Sequence, residues 1–239
     1  MSSNLTDTSY PSDDNNHISK NYHNFSCQNL KGHSFRQMDL SKANFCRSDI
    51  READFWGANL EEAILDGANA RLVSMQGTNL SKATLVGANL WGANLKLATL
   101  SSALLSESNL AQADMAGAKC NNANFSKCNL FGIDLRLAVL KNTNFGKSDI
   151  SASRLDSADF SRANFRDSEM INISARKTNF SECDFSNAKL EDSNLRGCDL
   201  TKADFRGADL KDVSLKESIF RETILPDGTI INHPLDKWL

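Results

Sequence analysis

One period governs this chain. From Phe25 to Leu225 every fifth residue belongs to a single apolar column, without a slip over 41 consecutive positions. The column holds 21 Leu, 12 Phe, three Met, two Ile, two Ala and one Cys, and only Phe131 of the 13 phenylalanines lies outside it. An amphipathic helix repeats apolar residues every 3.6 positions and a half-buried strand every two. A period of five excludes both as the unit of structure.

A second column, two residues earlier, shows how such a chain folds. From Ala43 to Thr223 it holds Ala, Ser, Thr, Cys or Val everywhere except Ile133 and Ile173. Residues two apart on extended backbone point the same way, so each pentad sends one small and one large side chain inward. In a flat strand the next pentad would present its large residue to the opposite side. The chain must therefore turn within every pentad, and always in the same sense. Ten of the 12 glycines, Gly57, Gly87, Gly92 and Gly207 among them, sit two residues after the large residue, where a turn needs φ > 0. Repeated turning makes a coil, and stacked coils pair through backbone hydrogen bonds.

The segments Ala53-Asp54-Phe55-Trp56-Gly57, Ala88-Asn89-Leu90-Trp91-Gly92 and Ala203-Asp204-Phe205-Arg206-Gly207 resemble the A(D/N)LXX motif of pentapeptide-repeat proteins. The resemblance covers most of the chain. It implies an all-β fold, a right-handed quadrilateral β-helix with four pentads per coil and about ten coils, roughly 50 Å long at ~4.8 Å per coil. Splitting the large column by 20 agrees with four sides: the series from Phe25 to Leu225 contains seven phenylalanines in 11 positions, which ring stacking between coils would select. The expected organisation is a disordered polar tail over 1–22, the β-helix over 23–227 and a cap over 228–239. Pro226-Asp227-Gly228-Thr229 is a turn signal, after which Ile230, Leu235, Trp238 and Leu239 are expected to fold over the last coil and cover its open edge. Bacterial members of the family, cyanobacterial ones among them, look similar at this end.

Enzymatic readings find little support. No histidine lies between His33 and His233, which removes a His-based triad or metal site from the body. The twelve carboxylates just before the large residue, such as Asp54, Asp134 and Asp204, alternate with Asn, as residues that bond the adjacent turn backbone do. No phosphate-binding glycine motif occurs. His23, Cys27 and His33, with His17, match no standard ligand spacing, so neither metal nor cofactor is expected. The six cysteines lack paired spacing and read as reduced thiols of a cytoplasmic protein. Cys120, Cys128, Cys183 and Cys198 fall in inward columns, whereas Cys46 lies in an outward one. No leader is evident, and no stretch approaches the roughly 18 apolar residues of a membrane span.

The formal charge of −3 comes from the tails, because residues 23–225 hold 25 basic and 25 acidic side chains. The column just after the large residue, expected to face solvent most fully, has 14 basic and four acidic members. The resemblance includes members that mimic DNA and bind topoisomerases with a strongly negative rod; this neutral surface is a poor match to a phosphate backbone. Direct nucleic-acid binding is not expected either. Trp91, Ala111, Phe131, Ser151 and Ile171 form one outward column, with Trp56 on the next face. Leu72, Leu97 and Leu137 replace residues that are elsewhere Gly or polar, and Arg36, Lys96, Arg136, Arg176, Arg196 and Lys216 lie alongside. Aromatic side chains beside arginines are the composition of a protein-binding patch. Scattered surface hydrophobes are the bland alternative. The expectation is a non-enzymatic module binding a protein partner through Trp56, Leu72, Trp91, Leu97, Phe131, Arg136, Leu137 and Ile171, as a monomer or an end-to-end homodimer. A topoisomerase-binding DNA mimic and a structural rod are the alternatives.

Overall fold

The computed structural model describes residues 23–232. Parallel bridges join each residue before a large one to its counterpart 20 positions on, in unbroken series from Asn24↔Asn44 to Asp204↔Ile224. One bridge in every pentad and 20 residues per coil make a four-sided coil. Most pentads repeat the same bonds. Phe45 N donates to Ile64 O (2.7 Å) and Arg47 N to Asp66 O (2.9 Å) in the following coil. Asn44 N donates to His23 O (2.9 Å) in the preceding one, and Ser48 N to Phe45 O (3.0 Å) closes the turn.

That last bond and the backbone angles define the corner. All forty residues at the third turn position, from Cys27 to Glu222, have φ near +60°, ten of them glycine and thirty not. A turn with only its third residue at positive φ is type II. Glycine therefore marks the turns without being required by them. None of the thirty is Val, Ile or Thr, the β-branched residues for which this region is most strained. The corner also corrects the expected order of exposure. The third turn residue is exposed at nearly every corner, while the residue just after the large one is often only half-exposed. That outermost column carries eight basic and nine acidic residues, so the rod's skin is balanced and not basic.

Inside, the two columns pack as ladders. Phe125, Phe145, Phe165, Phe185 and Phe205 stack nearly parallel, with ring centroids 5.0, 5.1, 5.1 and 4.7 Å apart. Phe160 and Phe180 meet this ladder edge-on or tilted from the adjoining side. Polar members of the small column stay satisfied: Thr78 Oγ1 donates to Phe55 O (2.8 Å), and Cys183 Sγ to Phe160 O (3.0 Å). On the faces, Asn and Asp side chains accept from the amide two residues on, as Asn44 Oδ1 does from Cys46 N (2.9 Å). This is the turn-bonding role expected of that column.

Of the two ends of the rod, only the C-terminal one departs from expectation. The first coil is irregular in sequence but regular in backbone: the bridges begin at Asn24, the His23 ring lies against Phe25, and Met38 packs on the core. At the other end the chain turns through Pro226–Gly228 into a short antiparallel pair, β1 (Thr223–Ile224) with β2 (Ile230–Ile231). Ile231 is the residue buried there, and Ile230, expected to cover the coil, is 61% exposed. The antiparallel register decides this, because neighbours on a strand point to opposite sides. Leu235, Trp238, Leu239 and the tail over 1–22 lie outside the described residues.

Candidate protein-binding face

Residues 20 apart stack into columns, so the surface can be followed up the rod. Trp91, Phe131 and Ile171 occupy the second position of alternate turns at one corner, with Leu72 at the third position of the same corner. Trp56 and Arg136 take the second position at the next corner, and Leu97 and Leu137 the third. The two corners bound a single face whose central column runs Ser74, Asn94, Asp114, Asp134, Arg154. The candidate residues therefore lie on the two rims of one face, not on two faces.

Trp56, Leu72, Trp91, Leu97, Phe131 and Leu137 are all exposed, Leu97 at 64% and Leu137 at 68%, whereas Ile171 is half-buried. The leucines sit at φ +57° to +61°. Leu72 leans over Gly92 and Leu97 over Gly117, where an added Cβ would come within 2.8 Å of each leucine. Glycine one coil later gives these side chains room. Ala111, between Trp91 and Phe131, is buried although its column faces outward, so the flanking side chains form a shallow seat over it. Trp56 and Trp91 each have a cation on the ring: Arg36 lies 4.9 Å from Trp56 and Arg71 5.0 Å from Trp91. Arg71 is absent from the sequence-based set. Its signal was its place 20 residues before Trp91.

Arg136 is already engaged within the rod. Its Nε and Nη2 donate to Asp134 Oδ1 (2.8 Å) and Oδ2 (2.6 Å), a bidentate pair that leaves it a poor free anchor. Burial pushes the Asp134 carboxyl up, but the hydrogen bonds and charge of Arg136 outweigh it and hold the group below its ordinary range. Arg154 shares the same carboxylate at 3.3 Å. One coil on, the pattern inverts: Arg154 stands where Asp or Ser usually stands, and Asp156 where a base usually stands. Asp156 accepts from Arg176 Nε (2.9 Å) and from Ser174 Oγ (2.9 Å). Burial raises its pKa, and these bonds lower it further than burial raises it. A groove of about 490 Å³ opens here beside Leu137 and Ala116, and a second of about 350 Å³ follows between Arg176, Lys177 and Arg196.

Sequence reasoning passed over Ile64 and Leu104, exposed on the opposite face where the pattern has Asn or Asp. Their signal was the same departure from the polar column. The thiols follow the columns: Cys120, Cys128, Cys183 and Cys198 are buried, Cys46 is half-buried and Cys27 exposed. Burial pushes the buried thiols up, Cys198 to about 12. Among the described residues no three His, Cys, Asp or Glu side chains converge on a metal position, and no helix is long and apolar enough to cross a membrane.

Comparison with known proteins gives these columns a family. The pentapeptide repeats profile matches eight copies, over residues 29–66, 57–92, 93–132, 158–197, 178–216 and 188–225. Among solved structures, the chain is similar to HetL, a pentapeptide repeat protein involved in heterocyst differentiation regulation from the cyanobacterium Nostoc sp. strain PCC 7120. Identity is 28% over 87% of this chain and 94% of that one, with a TM-score of 0.85. A trypsin-treated form of QnrB1, a plasmid-mediated fluoroquinolone resistance protein, is 22% identical over 81% of this chain and 91% of that one, with a TM-score of 0.44. The curated proteins contain no match. With repeats over most of its length and HetL's architecture, this chain belongs to the pentapeptide repeat family and folds as a right-handed quadrilateral β-helix.

Proposed function

We propose that this chain is a non-enzymatic, cytoplasmic rod that binds a protein partner in a regulatory role. The observation that carries the reading is the double rim of exposed apolar side chains on one face. A leucine at positive φ and in solvent is unfavourable twice over, by backbone strain and by hydration. Three such leucines, two tryptophans and Phe131 along the same face are accounted for by contact with a partner, since aromatic anchors dominate protein interfaces. HetL, itself involved in a regulatory process, is the relative that supports the regulatory part of the reading.

The charge arrangement counts against DNA mimicry. Acidic side chains are drawn into ion pairs up the rod, as in Lys127–Glu107 (3.0 Å) and Lys189–Glu169 (2.8 Å), one coil apart. A phosphate mimic needs unpaired negative charge. The test begins with a partner captured from the native host and identified by mass spectrometry, followed by titration calorimetry with the wild type and the Trp91→Ser/Phe131→Ser variant. Both rings lie outside the core, so the variant should stay folded and lose at least about tenfold in affinity. Unchanged affinity in a folded variant removes these rims from the interface.

A further inference from the structure

We infer that the partner segment is apolar followed by acidic, lying along the corner that runs from Leu97 to Arg196. The inference rests on the protein-binding reading and names the chemistry of the partner. Going up this corner, the outward positions change character. Leu97 and Leu137 are the most exposed large apolar side chains among the described residues of the rod. Beyond them come two grooves that share Arg176, the first holding Arg136 and Arg154 and the second Lys177 and Arg196.

Among the described residues these five cations pair with Asp134, Asp156 and Glu217, while Asp114, which also acts on Arg136, is held by Lys96, and the pairing is uneven. Arg136 occupies both oxygens of Asp134, Arg176 engages Asp156, and Arg196 holds Glu217 Oε1 at 2.6 Å. Arg154 is left with a third share of Asp134, and its side chain is 55% exposed. Lys177 stands beside Glu217, which Arg196 already engages. The inversion at Arg154 and Asp156 leaves the net charge unchanged but sets Arg154 beside a carboxylate that Arg136 already holds, where an acid at 154 and a base at 156 would continue the pattern of the coil below. On a rod whose body is neutral, the corner therefore concentrates uncompensated positive charge next to its most exposed leucines. A carboxylate-bearing segment satisfies Arg154 and Lys177, and its apolar part covers the leucines.

The spacing sets the register. Leu137 to Lys177 is two coils, ~10 Å at ~4.8 Å per coil, and extended chain rises ~3.3 Å per residue. The acidic residues then stand about three positions from the apolar anchor, with a further acid near Arg196 about one coil on.

A random peptide library displayed on phage, each insert about twelve residues and so ~40 Å when extended, tests this against the full-length protein. The expected consensus has one or two large apolar residues and, about three positions away, two or more Asp or Glu. Synthetic peptides of that consensus should weaken about tenfold on Arg154→Gln/Lys177→Gln and on Leu137→Ser, and with rising salt. Circular dichroism melts establish that these surface variants are folded. A basic or purely apolar consensus, or one indifferent to all three substitutions, overturns the acidic-segment proposal and leaves a protein-binding rod. Failure to enrich any peptide also overturns it, and the Trp91/Phe131 calorimetry then judges the wider reading independently. Competition by single-stranded DNA that the neutralising variant abolishes would replace the acidic peptide with a polyanion and overturn it too.

Discussion

Replacing Phe145 with alanine probes the ring ladder at its centre. The Phe145 side chain is fully buried and lies between Phe125 and Phe165 at 5.0 and 5.1 Å, with Phe160 edge-on at 5.7 Å. A buried phenylalanine removes roughly 150–250 Å² from water, which at about 25 cal/mol per Å² is roughly 4–6 kcal/mol and an upper bound, because unfolded chains already bury some surface. Measured Phe→Ala losses run about 3–5 kcal/mol, larger where the site cannot collapse. Here the coils above and below are held apart by backbone ladders, so the gap persists and the loss should fall in the upper half of that range. Lys147→Ala, at an exposed corner two residues on, should change stability by no more than about 0.5 kcal/mol. Phe25→Ala should cost less than Phe145→Ala, since Phe25 is only partly buried in the first coil and has Phe45 on one side of its ring. Guanidinium melts followed by circular dichroism measure all three. Equal losses for Phe145→Ala and Lys147→Ala would refute the inward phase of the column, and with it the packing argument.

Other perturbations follow from the same geometry. Thiol titration of the native protein should find at most two accessible groups, Cys27 and Cys46, and all six in denaturant; rapid labelling of all six without denaturant contradicts the columns. Removing residues 228–239 takes away β2 and the buried Ile231 and exposes the backbone of β1, so size-exclusion chromatography should show oligomers. A truncated protein that stays monomeric and melts unchanged would show that the segment is no cap. A hydrogen bond from Arg206 holds Asp204 below its ordinary range against burial, and one from Arg51 does the same for Asp49. Groups depressed in this way stabilise the fold above their unfolded pKa of about 3.9, and the contribution is lost as pH falls through the lower folded value. The melting temperature should therefore hold from about pH 7 to 5 and drop below about pH 4. A melting temperature that does not change down to about pH 2.5 would show that these pairs do not matter to stability.

The candidate face was legible only in part. Trp56, Trp91, Phe131 and the three leucines stood out because each breaks a polar column, and breaks of pattern survive in sequence. Their common location on the rims of one face did not, because it depends on where the turns fall within each pentad. Arg136 illustrates the limit in the other direction. In sequence it is one more base near aromatic residues, but in the fold its backbone places it two residues from Asp134 with both side chains on the same side, and the bidentate pair consumes it. Arg154, whose column elsewhere carries small polar or acidic side chains, emerged as the less satisfied cation only once neighbouring coils were stacked.

The 20-residue coil was what the family resemblance implied; by itself the sequence determined the repeating unit, the inward columns and the neutral charge of the body. Those features follow from side-chain size and sign at a fixed period, and no long-range information is needed to read them. Only the tertiary structure decided which turn residue reaches furthest into solvent, that thirty non-glycine residues accept positive φ, that Ile231 and not Ile230 meets the last coil, and which charges cancel. Each of these depends on contacts between residues about 20 apart, or on the sense of a single turn. The period is set locally by the identity of each side chain, but its neighbours in the adjacent coils exist only after the chain has closed on itself.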